Sequence, residues 1–329
     1  MTITVAIYDR AHEDLGDALP ALGLDLDVLV FDKDGKLYDD GKEIDPAETE
    51  VDYFWLSALI NRDQAGKAAF DLVVRTKKIG VLQTFNAGLD DPVYRTIRDK
   101  GIRVCNSSAQ AMAISEYIFG QVLSLYQPLN EQRDLQAAKT WKITPFKEIW
   151  RTNWLIVGYG PIGQEVARKA KAFGAATSVV RRSPQTNELV DRAGTLDEVG
   201  EFARDADVIV LACPLNSDTK GLANAEFFAQ AKEGAIILNI GRGLLIDDAA
   251  LTAALDSGRL SHAVLDVFHT EPLPADDPLW EHPKVHITSH TSFAGSGGPV
   301  RWRELFLDNL PRFVRGEELV NEVRPEDIP

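Results

Sequence analysis

The chain has 329 residues, enough for two domains of ordinary size, and its 45% hydrophobic and 26% charged residues are the balance of a globular protein. A formal net charge of −15 offers no basic face to a nucleic acid, and any anion must meet a locally positive site. No apolar run reaches membrane-spanning length, residues 1–8 read as a first strand and not as a signal peptide, and Cys105 and Cys213 form no C-x-x-C pair. These features predict a cytoplasmic protein with no nucleic-acid and no membrane partner.

Taken in order, strands are expected at 2–8, 27–31, 53–56, 79–84 and 103–106, with helical stretches between most of them, such as 92–100 after Asp90 and Asp91. The charged stretch 32–50 reads as a surface hairpin or loop. Residues 109–126 form a long apolar helix pattern that crosses between domains or packs in an interface, and 130–147 reads as a polar helix plus an exposed loop containing Trp141. A second alternating set begins at Trp154, with strands at 154–158, 177–182, 207–213, 235–240, 262–267 and 285–288. The tail 300–314 returns to an amphipathic helix that packs on the first domain. The fold class expected is α/β, with two doubly wound parallel-sheet domains, Rossmann- and flavodoxin-like. One domain is discontinuous, residues 1–104 and 291–329, and binds substrate; residues 105–290 bind the dinucleotide.

The strand from Trp154 ends in Gly158, Tyr159, Gly160, Pro161, Ile162 and Gly163, a G-x-G-x-x-G turn followed by helical spacing. In this context the first glycine permits the tight turn, the second lets a pyrophosphate approach the backbone, and the third lets helix pack on strand. The helix N-terminus then offers free N–H groups and a positive dipole. About 20 residues further on, an acidic side chain would hold the ribose 2′-OH of NAD. Arg181 stands there instead, followed by Arg182 and Ser183, which suits a 2′-phosphate. The reading is NADP(H) preferred, with NAD(H) possible.

Three polar groups lie at or beyond later strand ends: Arg242, Glu271 and His290. Together they suit hydride transfer to a 2-oxo acid. An arginine fork clamps the carboxylate, a histidine protonates the developing alkoxide, and a carboxylate orients that histidine and stabilises its imidazolium. Phe293 and Trp141 are candidate walls of the substrate pocket. No cluster has metal-ligand spacing.

At these residues the chain resembles the D-isomer-specific 2-hydroxyacid dehydrogenases, in particular those that reduce glyoxylate and hydroxypyruvate. The match runs through 157–163, 213–219, 238–243 with Ile246 and Asp247, and 265–272. The resemblance implies that Arg242 binds the carboxylate, His290 is the acid/base and Glu271 its partner. It also implies cofactor contacts at Cys213, Pro214, Thr219, Ile240, Gly241, Arg242, Asp266 and His290. Asn86, Ala87 and Gly88 resemble the family loop whose backbone N–H groups meet the substrate carboxylate, and Asn106 and Glu116 resemble the start of the interdomain segment. The partner implied is a small 2-oxo or 2-hydroxy acid, and the assembly a homodimer. The chain departs from the family where Ser289, and not proline, precedes the histidine. The leading expectation is an NADPH-dependent reductase of small 2-oxo acids. The alternatives are NAD-linked oxidation of a D-2-hydroxy acid, and a corepressor-type binding protein gated by dinucleotide.

Overall fold

The computed structural model describes residues 2–328, which divide into two compact units, one running to Ala109 and resuming at Ser296, the other Gln110–Gly295. In the first unit the strands begin with β1 (Ile3–Tyr8), β2 (Leu26–Phe31), β3 (Leu37–Asp39), β4 (Lys42–Ile44), β5 (Glu50–Trp55), β6 (Lys78–Gln83) and β7 (Arg103–Cys105). The second unit holds β8 (Asn153–Val157), β9 (Ala176–Val180), β10 (Arg192–Gly194), β11 (Val208–Leu211), β12 (Ala235–Asn239), β13 (Leu260–Leu265) and β14 (Val285–Ile287), and β15 (Glu322–Val323) lies back in the first.

The first sheet has the order β15-β7-β6-β5-β1-β2-β3-β4. Its five central strands are parallel, in the flavodoxin-like order, and β3, β4 and β15 add antiparallel edges. The charged stretch 32–50 therefore is a hairpin that also extends the sheet. Asp32 starts it, accepting from the Asp34 and Lys36 backbone N–H groups at 2.9 and 3.0 Å and from the Tyr38 hydroxyl at 2.9 Å. The helix Gly298–Arg315 completes this core: the Phe306 ring stacks on Trp55 with centroids 4.1 Å apart. Buried Asn309 then fixes the returning chain, bonding the Val320 N–H at 2.7 Å and its carbonyl at 3.0 Å, so that β15 reaches β7. Residues 105–109 group with this unit because Asn106 N donates to the Asn321 carbonyl and Arg301 Nε to the Ala109 carbonyl.

The second sheet is parallel throughout, in the order β10-β9-β8-β11-β12-β13-β14. This is the doubly wound dinucleotide order with a seventh strand, and its winding reverses between β8 and β11. Six strands are legible in the sequence. The seventh, β10, escapes because Arg192, Ala193 and Gly194 form no apolar run. The second strand ends at Val180, so Arg181 and Arg182 lie in the loop after it and not in the strand. The helix Ala111–Tyr126 belongs to this unit and brings Phe119 against Trp154, ring centroids 4.7 Å apart. Among the described residues no helix is long and apolar enough to cross a membrane.

Candidate active site

The loop after β8 has the shape of a phosphate cradle. Gly158 sits at φ +100°, and a Cβ there would lie 2.6 Å from the Ala212 carbonyl oxygen and 2.8 Å from the Cys213 Cα. A Cβ on Gly163 would strike the Gly158 carbonyl, so helix Pro161–Ala172 packs on β8 only because that residue is glycine. Gly160 is different: nothing lies within 4 Å of its Cβ position, and no side chain caps the helix after it. Tightness at the first and third glycines with open space at the second fits a bound pyrophosphate.

Past β9, Arg181 is held by its backbone N–H on the Gly194 carbonyl at 3.0 Å. Its guanidinium lies over the Tyr159 ring, 5.6 Å from the centroid, while Arg182 and Ser183 are exposed. No carboxylate occupies the end of this strand. The loop after β11 closes on itself: the Thr219 hydroxyl donates to the Pro214 carbonyl at 2.7 Å, and Asn216 Oδ1 accepts from the Asp218 and Thr219 N–H groups.

At the end of β12, buried Asn239 shapes the turn. Its Oδ1 accepts from Gly241 N at 3.1 Å and its Nδ2 donates to the Arg242 carbonyl at 2.9 Å. Arg242 is extended, half-buried, and donates one guanidinium N–H to the Gly241 carbonyl. A Cβ on Gly243 would collide with the Phe268 backbone, so the segment carrying Arg242 lies directly on the one carrying Glu271. His269 ties them again through Nε2 and the Ile246 carbonyl, 2.9 Å apart.

Glu271 and His290 meet. Glu271 Oε1 accepts from Phe268 N at 3.0 Å, and Oε2 lies 2.8 Å from His290 Nδ1. The two side chains are 37% and 41% exposed. With Nδ1 bound to a carboxylate, Nε2 is the ring nitrogen left for proton exchange. Phe293 lies edge-on to the imidazole at 6.1 Å. His290 takes a left-handed backbone conformation, φ +48°. Asp266, expected as a cofactor contact, is fully buried beneath this loop and bonds its backbone.

The first unit carries Asn86, Ala87 and Gly88 on the loop after β6. Asn86 Nδ2 donates to the Tyr94 hydroxyl at 2.8 Å, and Asn106 Nδ2 to the Ala87 carbonyl at 2.7 Å, which fixes the peptide orientation of this loop. Trp141 does not form a pocket wall in the chain. It lies past the helix Leu129–Ala137 and its side chain is 100% exposed. Sequence reasoning also passed over Tyr117 and Thr288, whose hydroxyls lie 2.7 Å apart beneath His290's loop. Neither has a sequence signal, since one reads as a polar break in an apolar helix and the other as a strand end.

The model of the family described as D-isomer specific 2-hydroxyacid dehydrogenase, NAD binding domain, matches residues 119–292. Glyoxylate/hydroxypyruvate reductase A of Salmonella typhi is 31% identical over 218 residues, 66% of this chain and 69% of that protein. D-3-phosphoglycerate dehydrogenase of Bacillus subtilis is 33% identical over 86% of this chain, which spans only 54% of that enzyme's length. A crystal structure of a D-isomer specific 2-hydroxyacid dehydrogenase from Xanthobacter autotrophicus Py2, in complex with NADPH and MES, superposes with a TM-score of 0.78 at 25% identity, covering 99% of both chains. This chain belongs to the D-isomer-specific 2-hydroxyacid dehydrogenase family and is an NAD(P)-dependent oxidoreductase.

Proposed function

We propose that the chain reduces a small 2-oxo acid to the D-2-hydroxy acid with NADP(H). The observation that carries this reading is the 2.8 Å contact of His290 Nδ1 with Glu271, in the same unit as an arginine-bearing strand end and an open glycine turn. Arg181, standing where an NAD site has a carboxylate, supports the 2′-phosphate. The relatives that act on glyoxylate and hydroxypyruvate, and the neighbour holding NADPH, agree with this choice.

When bound, the nicotinamide supplies the hydride. The Gly158–Gly163 turn holds the pyrophosphate, Arg181, Arg182 and Ser183 the 2′-phosphate, and the Cys213–Thr219, Ile240 and Gly241 loops line the remainder. Arg242 clamps the carboxylate with its planar fork and so orients the carbonyl. His290 donates a proton from Nε2 to the developing alkoxide, and Glu271 stabilises the imidazolium beforehand. The exposed Trp141, Ile143 and Phe146 support a homodimer, because apolar side chains at 100%, 87% and 55% exposure are unusual on an isolated surface.

The test measures NADPH and NADH oxidation against glyoxylate, hydroxypyruvate, 2-oxobutyrate and phenylpyruvate, each beside its decarboxylated aldehyde. Turnover of acids with NADPH is expected. Equal turnover of the aldehydes removes the carboxylate clamp, and preference for NADH removes the assignment of Arg181.

A further inference from the structure

Arg181 stands at the end of β9 without an ionic partner. Among the described residues no carboxylate lies within ion-pair distance of it, and its guanidinium faces an aromatic ring, 5.6 Å from the centroid of Tyr159. Tyr159 occupies the first variable position of the glycine turn, between Gly158 and Gly160. One residue thus gives its backbone to the turn after β8 and its ring to the loop after β9.

The ring is held on two sides. It is half-buried and packs, with Ile162 and Leu189, on the apolar cluster that contains Val166, Val179 and Val190. Its hydroxyl accepts from Asn187 Nδ2 at 3.4 Å. Asn187 is itself fixed: its backbone pairs with Val190 in both directions, at 3.3 and 3.1 Å, and its Oδ1 accepts from Leu189 N at 2.8 Å. The core therefore holds the body of the ring, and a turn at 187–190 holds its far edge. Arg181 has its backbone anchored by the bond from its N–H to the Gly194 carbonyl, so only its side chain is left to place.

What holds that side chain decides what it can do. A carboxylate would order it, but would also neutralise it and repel a phosphate. An aromatic face attracts the cation through the ring quadrupole and takes none of its five N–H donors. The guanidinium stays charged and keeps its edge free for the paired hydrogen bonds that a phosphate accepts. The need is sharper in a chain with 50 acidic and 35 basic residues, where a phosphate meets attraction only at a locally positive point. Ordering a long side chain in advance also lowers the entropy lost on binding.

We propose that Tyr159 is a positioning residue for cofactor selection: its ring face holds Arg181 in place to meet the 2′-phosphate of NADP(H). Tyr159 then bears unequally on the two dinucleotides, because it acts through Arg181 on the phosphorylated one alone. This inference rests on the reading of Arg181 as the 2′-phosphate contact, and its test separates the two.

Dissociation constants of NADPH, NADH and 2′,5′-ADP are measured by calorimetry for the wild type, Tyr159→Phe, Tyr159→Leu, Arg181→Ala and the double variant of Tyr159→Leu with Arg181→Ala. Tyr159→Leu should weaken NADPH and 2′,5′-ADP by about 3- to 30-fold, the range of a cation–aromatic contact, and leave NADH within about twofold. Tyr159→Phe keeps the ring and should retain the wild-type ratio of the two affinities. In the Arg181→Ala background, Tyr159→Leu should change NADPH binding little further, since both act on one phosphate contact. A pentafluorophenylalanine at position 159 keeps the shape of the ring and reverses its quadrupole. It should select NADPH as poorly as Tyr159→Leu, and it carries the test if the leucine variant does not fold. NADPH and NADH weakened alike overturns the proposal, because Tyr159 then serves only the parts the two dinucleotides share. So does full NADPH selectivity in the pentafluoro variant, or a leucine effect undiminished in the absence of Arg181. If Arg181→Ala leaves the NADPH-to-NADH ratio unchanged, the 2′-phosphate reading itself fails. If it lowers the ratio and Tyr159→Leu does not, only the positioning role falls.

Discussion

Both units are parallel sheets wrapped in helices, yet their strand ends differ. In the second unit the ends after β8, β9, β12, β13 and β14 lead into an open glycine turn, Arg181, Arg242, Glu271 and His290. In the first, the ends after β5 and β6 run into Leu56, Ser57 and Thr84, at 0%, 5% and 1% exposure, and the loop offers backbone groups at Ala87 and Gly88. A parallel sheet needs only buried apolar strands, and both units satisfy that. Chemistry is a property of the loop beyond each strand, so two sheets of similar design carry unequal shares of the ionisable machinery.

The sharpest way to break this contrast is to remove the ionisable groups of the second unit. His290→Ala should lower kcat for reduction by about 10²- to 10⁴-fold without altering the thermal transition, since its side chain is 41% exposed. Near-full kcat in this variant would falsify the acid/base role. Glu271→Gln should move the upper limb of the reduction profile to lower pH, because the imidazolium loses the carboxylate that favours it.

The converse experiment disturbs the first unit's core and leaves the ionisable groups alone. Phe306 is fully buried and stacks on Trp55. Phe306→Ala should cost roughly 3–5 kcal/mol, read as a denaturant transition of the first unit that moves while that of the second does not. A single unchanged transition would show that the C-terminal helix contributes little to this core.

A smaller effect is expected at Arg181, proposed above to meet the 2′-phosphate. Arg181→Asp should lose a charge-assisted interaction of about 1.5–3 kcal/mol and shift the ratio of kcat/KM for NADPH over NADH by roughly 10- to 150-fold. An unchanged ratio would assign the 2′-phosphate to other residues.

The sequence made the second unit legible because its turn needs glycine at 158 and 163, where any side chain meets backbone. The meeting of Glu271 with His290 was legible for a similar reason, since few residue types exchange a proton near neutrality and a carboxylate is the natural partner of such a histidine. The first unit was readable only as rhythm: buried strands of valine, leucine and phenylalanine repeat in any doubly wound sheet. The supports of the site were not legible. Thr288 and Ser292, both on the segment after β14, bond Asp266, and Tyr117 on the helix Ala111–Tyr126 bonds Thr288; only the fold brings them together. Trp141 misled, because an aromatic in a polar stretch suggests a pocket wall, whereas its side chain is fully exposed.

The smallest expected effect sharpens the comparison through acid stability. His262 on β13 and His286 on β14 lie ring to ring at 5.8 Å, edge to face, and burial holds both below the ordinary histidine value, with mutual repulsion and Lys284 adding to the effect on His262. The folded state thus binds protons at these rings less readily than the unfolded chain. Their contribution to stability is present above about pH 6.5, the unfolded value, and is lost as pH falls through the lower folded values. The first unit has no such pair among its described residues: its depressed carboxylate Glu322, held down by Arg103, responds only at more acidic pH. The second unit should therefore lose stability before the first on acidification from pH 7.5 to 5.5. Both rings remain partly exposed, so the shift should be modest, a few degrees in Tm at about 2–4 °C per kcal/mol. His286→Gln, which cannot take up a proton, should flatten this dependence. An equally steep pH dependence in His286→Gln would place the acid-sensitive groups elsewhere in the unit.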